Sequence, residues 1–302
     1  MKIQPQLKAI TKMSNMELIK KLRDTTGSGI VDCKKALSEN KNDIDASIKW
    51  LREKGILKAQ KKQDRETNEG VVSFYNNETY TDFTVCKIKC ETDFVAKNDD
   101  FLDFAKTLSK AIHENKNIND HGTDENLVDL KIKDKNFSDC LTDLISKIGE
   151  NIQVVSYKKY NSEKSIFISY LHNKYNSNCS KIGSVVEIST DNKDLALKLV
   201  EELKVISMQI SAMKPIGIDE NSINPKILED EKDIILKQMD KVPEDKKDQI
   251  IKGKLNKFIK ENTLLGQALI TDPKKSVSSF LSEISKSNNI NLNIASMDLY
   301  TI

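Results

Sequence analysis

Cys90-Glu91-Thr92-Asp93-Phe94-Val95-Ala96-Lys97-Asn98 joins a strand-like run to a helix-start signal. Upstream, Val71 to Tyr75, the Asn76-Asn77-Glu78 turn and Thr79 to Cys90 read as a β-hairpin. Downstream, Asn98-Asp99-Asp100 offers N-cap oxygens, and Phe101, Phe104, Ala105, Leu108 and Ile112 follow at helical spacing. A hairpin followed by a helix points to an α+β fold. Phe94 falls on the connection, directly after a carboxylate. An aromatic there either folds back onto its own core or stands out for insertion into a partner.

The chain before the hairpin is helical. Ser14-Asn15-Met16-Glu17 has capping-box spacing, and Leu18, Ile19 and Leu22 supply the stripe behind it. Gly27 and Gly29 stop that helix, and a second is predicted from Ile30 to Leu37. A third opens at Asp43, carries Ile44, Ile48 and Leu51 on one face, and is expected to end at Gly55. Residues 14–57 thus form a small three-helix module. Residues 58–68, with Lys58, Lys61, Lys62 and Arg65, read as a basic helical linker, a solvated tether in the plain reading and a nucleic-acid contact in the sharper one.

Beyond Ile112, residues 114–136 are polar and irregular, a predicted surface excursion, and Phe137, Leu141, Leu144, Ile145 and Ile148 make a helix closed by Gly149. Strand-like runs follow at Ile152–Tyr160, Ser165–His172 and Ile182–Thr190, then one long helix from Asp194 with its stripe running to Met213 before Pro215. The repeated order divides the core into subdomains at 69–160 and 161–302. Residues 225–262 are expected to leave the second as an antiparallel helical hairpin, Ile227, Ile234, Ile235 and Met239 facing Ile250, Ile251, Leu255, Phe258 and Ile259. Leu264–Ile270 then reads as strand, Val277–Ile284 as helix and Ile290–Leu299 as strand.

Composition excludes several function classes. Lys and Arg total 48 against 46 Asp and Glu, a net charge of only +2, so charge gives little support to nucleic-acid binding. Five cysteines at irregular spacings are no disulfide framework. Cys86 and Cys90, on one strand, would stand about 13 Å apart at roughly 3.3 Å per residue, too far to share a tetrahedral metal. His113, His121 and His172 are not at ligand spacing, so no metal and no cofactor are expected. There is no apolar run of about 18 residues for a membrane span. Residues 1–13 read as a disordered extension, with a remnant organellar address as the alternative.

Thr26-Gly27-Ser28-Gly29-Ile30-Val31-Asp32-Cys33-Lys34-Lys35-Ala36-Leu37 is the second informative motif. It follows a helix and lacks the Gly-Lys-Ser/Thr of a phosphate loop. Its residues describe a tight turn with a basic, partly apolar edge suited to docking on another protein.

Together the two motifs resemble translation elongation factor Ts, the nucleotide exchange factor of the GTPase elongation factor Tu. The match runs from Leu22-Arg23 through Leu37, from Glu91 through Lys97, and at Lys147-Ile148-Gly149-Glu150-Asn151-Ile152. The resemblance implies an α+β fold with an N-terminal three-helix, ubiquitin-associated-like module, two related core subdomains and an inserted helical hairpin. It implies a protein without bond chemistry or catalytic residues, cytoplasmic in a bacterium, or in an organelle matrix if residues 1–13 are a targeting remnant. Its partner would be elongation factor Tu, GDP-bound and nucleotide-free, with no direct nucleic acid and no membrane. Self-association is left open by the residues. Thr92, Asp93, Phe94 and Val95 would form a wedge that displaces the partner's Mg2+ and phosphate contacts. Gly27, Gly29, Ile30, Val31, Lys34 and Lys35 would dock the helical module on the same GTPase domain. His172 would approach the partner's far domain, its plain alternative being a surface histidine. Where relatives carry an acidic residue and an Asn before the second motif, this chain has Lys87 and Lys89. The competing reading is a protein-binding adaptor with no exchange activity.

Overall fold

The computed structural model describes residues 14–77, 79–239 and 243–302. The expected extension at 1–13 lies outside the described residues, as does part of the turn after β1 and of the hairpin's connection. The chain opens with α1 (Asn15–Thr26), α2 (Ile30–Glu39) and α3 (Ile44–Gln60). Ser14 and Glu17 close the capping box: the Glu17 N–H donates to Ser14 Oγ at 3.3 Å and the Ser14 N–H to Glu17 Oε2 at 2.8 Å. Gly27, left-handed at φ 68, ends α1, and the Asp43 carboxylate caps α3. Leu22, Cys33, Ala36, Leu37 and Leu51 form the module's core.

The third helix does not stop at Gly55. It runs on to Gln60, and Ala59 is buried in the main core, so residues 58–60 are no tether. Gly55 is an interior position where α3 crosses another helix, and a Cβ there would stand 2.7 Å from Ser146 Oγ. The glycine permits close approach, which from sequence is indistinguishable from a stop signal.

Next come β1 (Glu69–Asn76), β2 (Asp82–Cys90), the single turn α4 (Asp93–Ala96) and α5 (Asp99–Glu114), capped by Asn98. The segment expected as a surface excursion is pinned to the body. It contains β3 (His121–Gly122), β4 (Lys131–Ile132) and β5 (Lys135–Asn136), and buries Leu127, Leu130 and Ile132. Three apolar residues at irregular spacing give no periodic signal, so the sequence does not distinguish them from loop residues. Then follow α6 (Phe137–Ile148), β6 (Ile152–Asn161), β7 (Ser165–Lys174) and β8 (Cys179–Thr190). The predicted long helix is two, α7 (Lys193–Lys198) and α8 (Val200–Met213), broken at Leu199 where the N–H bonds back to Ala196. The hairpin is α9 (Pro225–Lys237) and α10 (Glu244–Asn262), joined by Ile235, Met239 and Ile251. The strand read at 264–270 shrinks to β9 (Ala268–Leu269), paired with β10 (Asp272–Ser276); α11 (Val277–Asn288) and β11 (Leu292–Thr301) finish the chain.

Strands from both halves belong to one seven-stranded sheet, ordered β11-β8-β1-β2-β6-β3 with β7 on the other edge of β8. The two halves join where Val72 and Ser73 pair with Ser180 and Cys179. The sheet folds back on itself there. Alternation sends Val71, Cys86 and Ile88 toward α5 and α6, and Val186 and Ile188 toward α8 and α11. The remaining faces meet in a shared inner layer of Val72, Phe74, Phe83, Val85, Tyr160, Phe167, Leu171 and Val185. The Tyr160 hydroxyl donates to Asp298 Oδ2 at 2.6 Å and Lys158 Nζ lies 2.8 Å from the same oxygen, tying β6 to the C-terminal strand. Among the described residues no helix is long and apolar enough to cross a membrane.

Candidate functional site: an exposed aromatic on a one-turn helix

The stretch from Glu91 to Asn98 turns sharply off the end of β2. Thr92 is the N-cap of α4, its hydroxyl accepting the Val95 N–H at 3.4 Å. Ala96 is fully buried and Val95 nearly so, both against the core shared with α5. These two anchors force Phe94 to the opposite side, where 82% of its surface meets solvent. Phe94 does not fold back onto its own core.

Charges frame the turn. Lys97 Nζ stands 2.7 Å from Asp93 Oδ2, an i,i+4 pair in which the lysine's hydrogen bond holds the Asp93 carboxyl below its usual range. Beside it, Lys181 of β8 pairs with Glu69 of β1 at 2.8 Å. The Lys97–Asp93 pair is exposed, so its worth lies in orientation more than in stability, while Lys181–Glu69 is half-buried.

The ends of the turn are tied to the loop between α6 and β6. Glu150 Oε2 accepts the Thr92 N–H at 3.0 Å, and Glu150 Oε1 accepts the Thr92 hydroxyl at 2.7 Å. In return the Asn151 N–H donates to Glu91 Oε1 at 2.6 Å. The resemblance at residues 147–152 carries no sign of this contact, since residues separated by some 60 positions leave no spacing signal.

Lys87 and Lys89 stand opposite Val72 and Gly70 in the β1–β2 register. Since Cys86 and Ile88 point to the α5 core, the two lysines lie on the reverse face of the sheet, away from α4. Burial, with Lys89 adding to it, pushes the Lys87 ammonium below its ordinary pKa.

In the helical module, Ile30 and Val31 open α2 with 55% and 79% of their surfaces exposed, and Lys34 and Lys35 are exposed one turn on. Cys33, between them in sequence, is buried in the module core. Gly27 places this turn against the core: its Cα lacks a side chain where Lys147 Cδ would lie 3.4 Å from a Cβ. Lys147 Nζ reaches Asp100 Oδ1 of α5 at 2.7 Å, so one lysine bridges the module's turn and the helix that follows Phe94. His172, exposed on β7, has its side-chain contacts with Tyr170, whose hydroxyl is 3.4 Å from Nδ1. The structure links the module turn to the Phe94 region and leaves His172 separate.

Fold and projections together define an α+β protein whose candidate residues stand mostly on exposed tips and edges; Val95, expected in the wedge, is instead buried as its anchor. The chain belongs to the elongation factor Ts family and is a translation elongation factor. The family model described as Elongation factor TS matches residues 91–302, and that described as Elongation factor Ts, mitochondrial, N-terminal matches residues 6–62. The chain is similar to elongation factor Ts of a Nitratiruptor species, 39% identical over 271 residues, covering 89% of this chain and 86% of that one. Against elongation factor Ts of a Clostridium perfringens type A strain it is 36% identical over 277 residues, covering 91% and 88%. Against that of Alkalilimnicola ehrlichii it is 36% identical over 269 residues, covering 87% and 85%.

Proposed function

We propose that the protein is a guanine nucleotide exchange factor that binds elongation factor Tu in the cytoplasm and promotes GDP release. The observation that carries this reading is Phe94, a large aromatic held out in water on a one-turn helix whose last two residues are buried. Holding an apolar ring in solvent is unfavourable unless a partner takes it up. In this reading Phe94 enters the GTPase domain beside its Mg2+ site, Asp93 accompanies it, and displaced metal and phosphate contacts weaken GDP binding. Coupling of this kind is reciprocal, so the factor loosens nucleotide by as much as nucleotide loosens the factor.

No bond is made or broken, and the reading needs no acid, base or nucleophile. Ile30, Val31, Lys34 and Lys35 dock the module, the lysines serving as rim charges that speed encounter. His172 meets a more distant part of the partner. Complexes form with the GDP-bound and nucleotide-free partner, and neither nucleic acid nor membrane is contacted directly.

The test is release of fluorescent GDP from elongation factor Tu. The wild-type chain is expected to accelerate it, and Phe94→Ala to remove most of the acceleration. Losing a buried aromatic anchor costs about 2 kcal/mol or more, roughly thirtyfold in affinity. A wild-type chain that binds elongation factor Tu without accelerating release is the adaptor, not the exchange factor.

A further inference from the structure

We propose that Glu150 is a positioning residue for Phe94, and that the turn carrying it, Gly149-Glu150-Asn151, fixes how the exchange wedge is aimed relative to the helical module. This rests on the exchange reading above.

A helix of four residues cannot hold itself. Its nucleation cost is not recovered by propagation, and its first N–H groups have no partner within the helix. The Phe94 ring is mostly in solvent, so its direction is set by the α4 backbone alone. That backbone is held at its C-terminal end by buried Val95 and Ala96 and at its N-terminal end by Thr92, which hangs on Glu150. One carboxylate takes both Thr92 protons, the N–H at 3.0 Å and the hydroxyl at 2.7 Å. With its proton committed to Glu150, the hydroxyl turns a lone pair to the Val95 N–H, which is the cap that starts α4. Glu150 thereby orients the cap, and the cap orients the ring.

The adjacent residue repeats the device in the other direction. The Asn151 N–H donates to Glu91 at 2.6 Å, so two consecutive residues of one loop exchange bonds with two consecutive residues of the other. Asn151 is 1% exposed, and its Nδ2 donates to the carbonyls of Arg65 at 2.8 Å and Gln63 at 3.2 Å. Those carbonyls belong to the chain leaving α3. The same turn thus grips the exit of the helical module and the root of the wedge. A carboxylate with two convergent donors is a stronger hold than a neutral acceptor would be.

The experiment measures GDP release from elongation factor Tu at saturating factor for wild type, Glu150→Ala, Glu150→Gln, Phe94→Ala and the Glu150→Ala/Phe94→Ala double variant. Glu150→Ala is expected to lower the maximal rate by about tenfold, the scale of one charged hydrogen bond. The half-saturating concentration should shift less than about threefold, because the module still docks. Glu150→Gln keeps one acceptor oxygen and recovers part of the rate. In the Phe94→Ala background, Glu150→Ala should change the rate by less than about twofold, since no ring is left to aim. An undiminished rate for Glu150→Ala, or the same loss in both backgrounds, overturns the proposal; the second outcome would mean that Glu150 merely supports the fold.

Amide hydrogen exchange supplies a readout independent of nucleotide. Glu150→Ala should speed exchange at Thr92 and Val95 by about tenfold or more while β2 amides keep their protection. Unchanged protection at Thr92 overturns the positioning role. A wild-type chain that fails to release GDP refutes the exchange reading, and the amide measurement then decides the clamp separately.

Discussion

Gly183 of β8 lies directly against the ring of Phe74 of β1: a Cβ at 183 would stand 2.4 Å from the ring's Cζ. The ring cannot retreat, because Phe83 packs edge-on to it at 4.9 Å between centroids and Tyr300 at 6.3 Å. This contact is where the two halves of the folded sheet press together. Gly183→Ala should therefore destabilise the protein by about 1–3 kcal/mol through overpacking. The measurement is a urea titration; a midpoint equal to wild type would mean the inner layer is looser than described.

Phe94→Ala should separate function from stability. An exposed side chain that makes neither the cap bond nor a core contact changes stability by about 0.5 kcal/mol or less when truncated. Thermal melting is expected to be unchanged while stimulated GDP release falls. A drop in melting temperature that parallels the lost activity would return Phe94 to a core role.

His113 offers a pH test. Its Nδ1 is 3.1 Å from Thr84 Oγ1, and its ring lies 4.9 Å from that of Tyr75. Burial, assisted by Lys159 and opposed by Asp82 and Glu114, lowers its pKa from the ordinary 6.5. The unfolded chain then binds more protons than the folded one between the two values. The fold is thus free of this penalty above pH 6.5 and loses stability as pH falls through 6.5 toward the lower folded value. Carboxylates also titrate on the acid side, so the informative quantity is the difference from His113→Phe, which should weaken less between neutral and mildly acid pH. Identical pH slopes for the two proteins would contradict the burial argument.

All five cysteines are free thiols, and four of them are buried. Burial pushes Cys86 and Cys90 up to about 12, which leaves almost no thiolate at neutral pH. Cys140, half-buried on α6, should be the first to react with a thiol reagent in the native protein, and slowly, since burial raises its pKa too. Cys140→Ser should abolish native-state labelling, with the other four reacting only in denaturant. Rapid labelling of Cys86 would show that the α5 core opens readily.

Local signals were legible where residue chemistry dictates geometry at short range. Ser14 with Glu17, Asp43 and Asn98 each cap the predicted helix. The exposed Phe94 was legible for the same reason: it follows a cap and precedes two small or branched residues that the core can take. What escaped were features that depend on a distant partner. Gly55 ends a helix by local rule, yet Ser146 makes it a crossing point. Leu127, Leu130 and Ile132 look like loop residues until the core is assembled around them. The Glu150–Thr92 clamp joins residues 58 positions apart and carries no periodicity at all. The folding of one sheet across both halves was likewise invisible, since Val72 meets Ser180 through backbone pairing that side-chain pattern does not encode.

The strand order has a consequence for how the chain is made. β7 pairs with β8 as a hairpin soon after both are synthesised, but the other edge of β8 is completed largely by β11, which ends at Thr301, one residue before Ile302. At translation rates of roughly 5–20 residues per second, that edge stays open for on the order of ten seconds on every ribosome producing the protein. Open strand edges recruit other strands. A factor of translation elongation would thus be exposed to mispairing for a time set by the speed of elongation itself, and shortening β11 at its end should appear first as poor yield from synthesis instead of as weak binding.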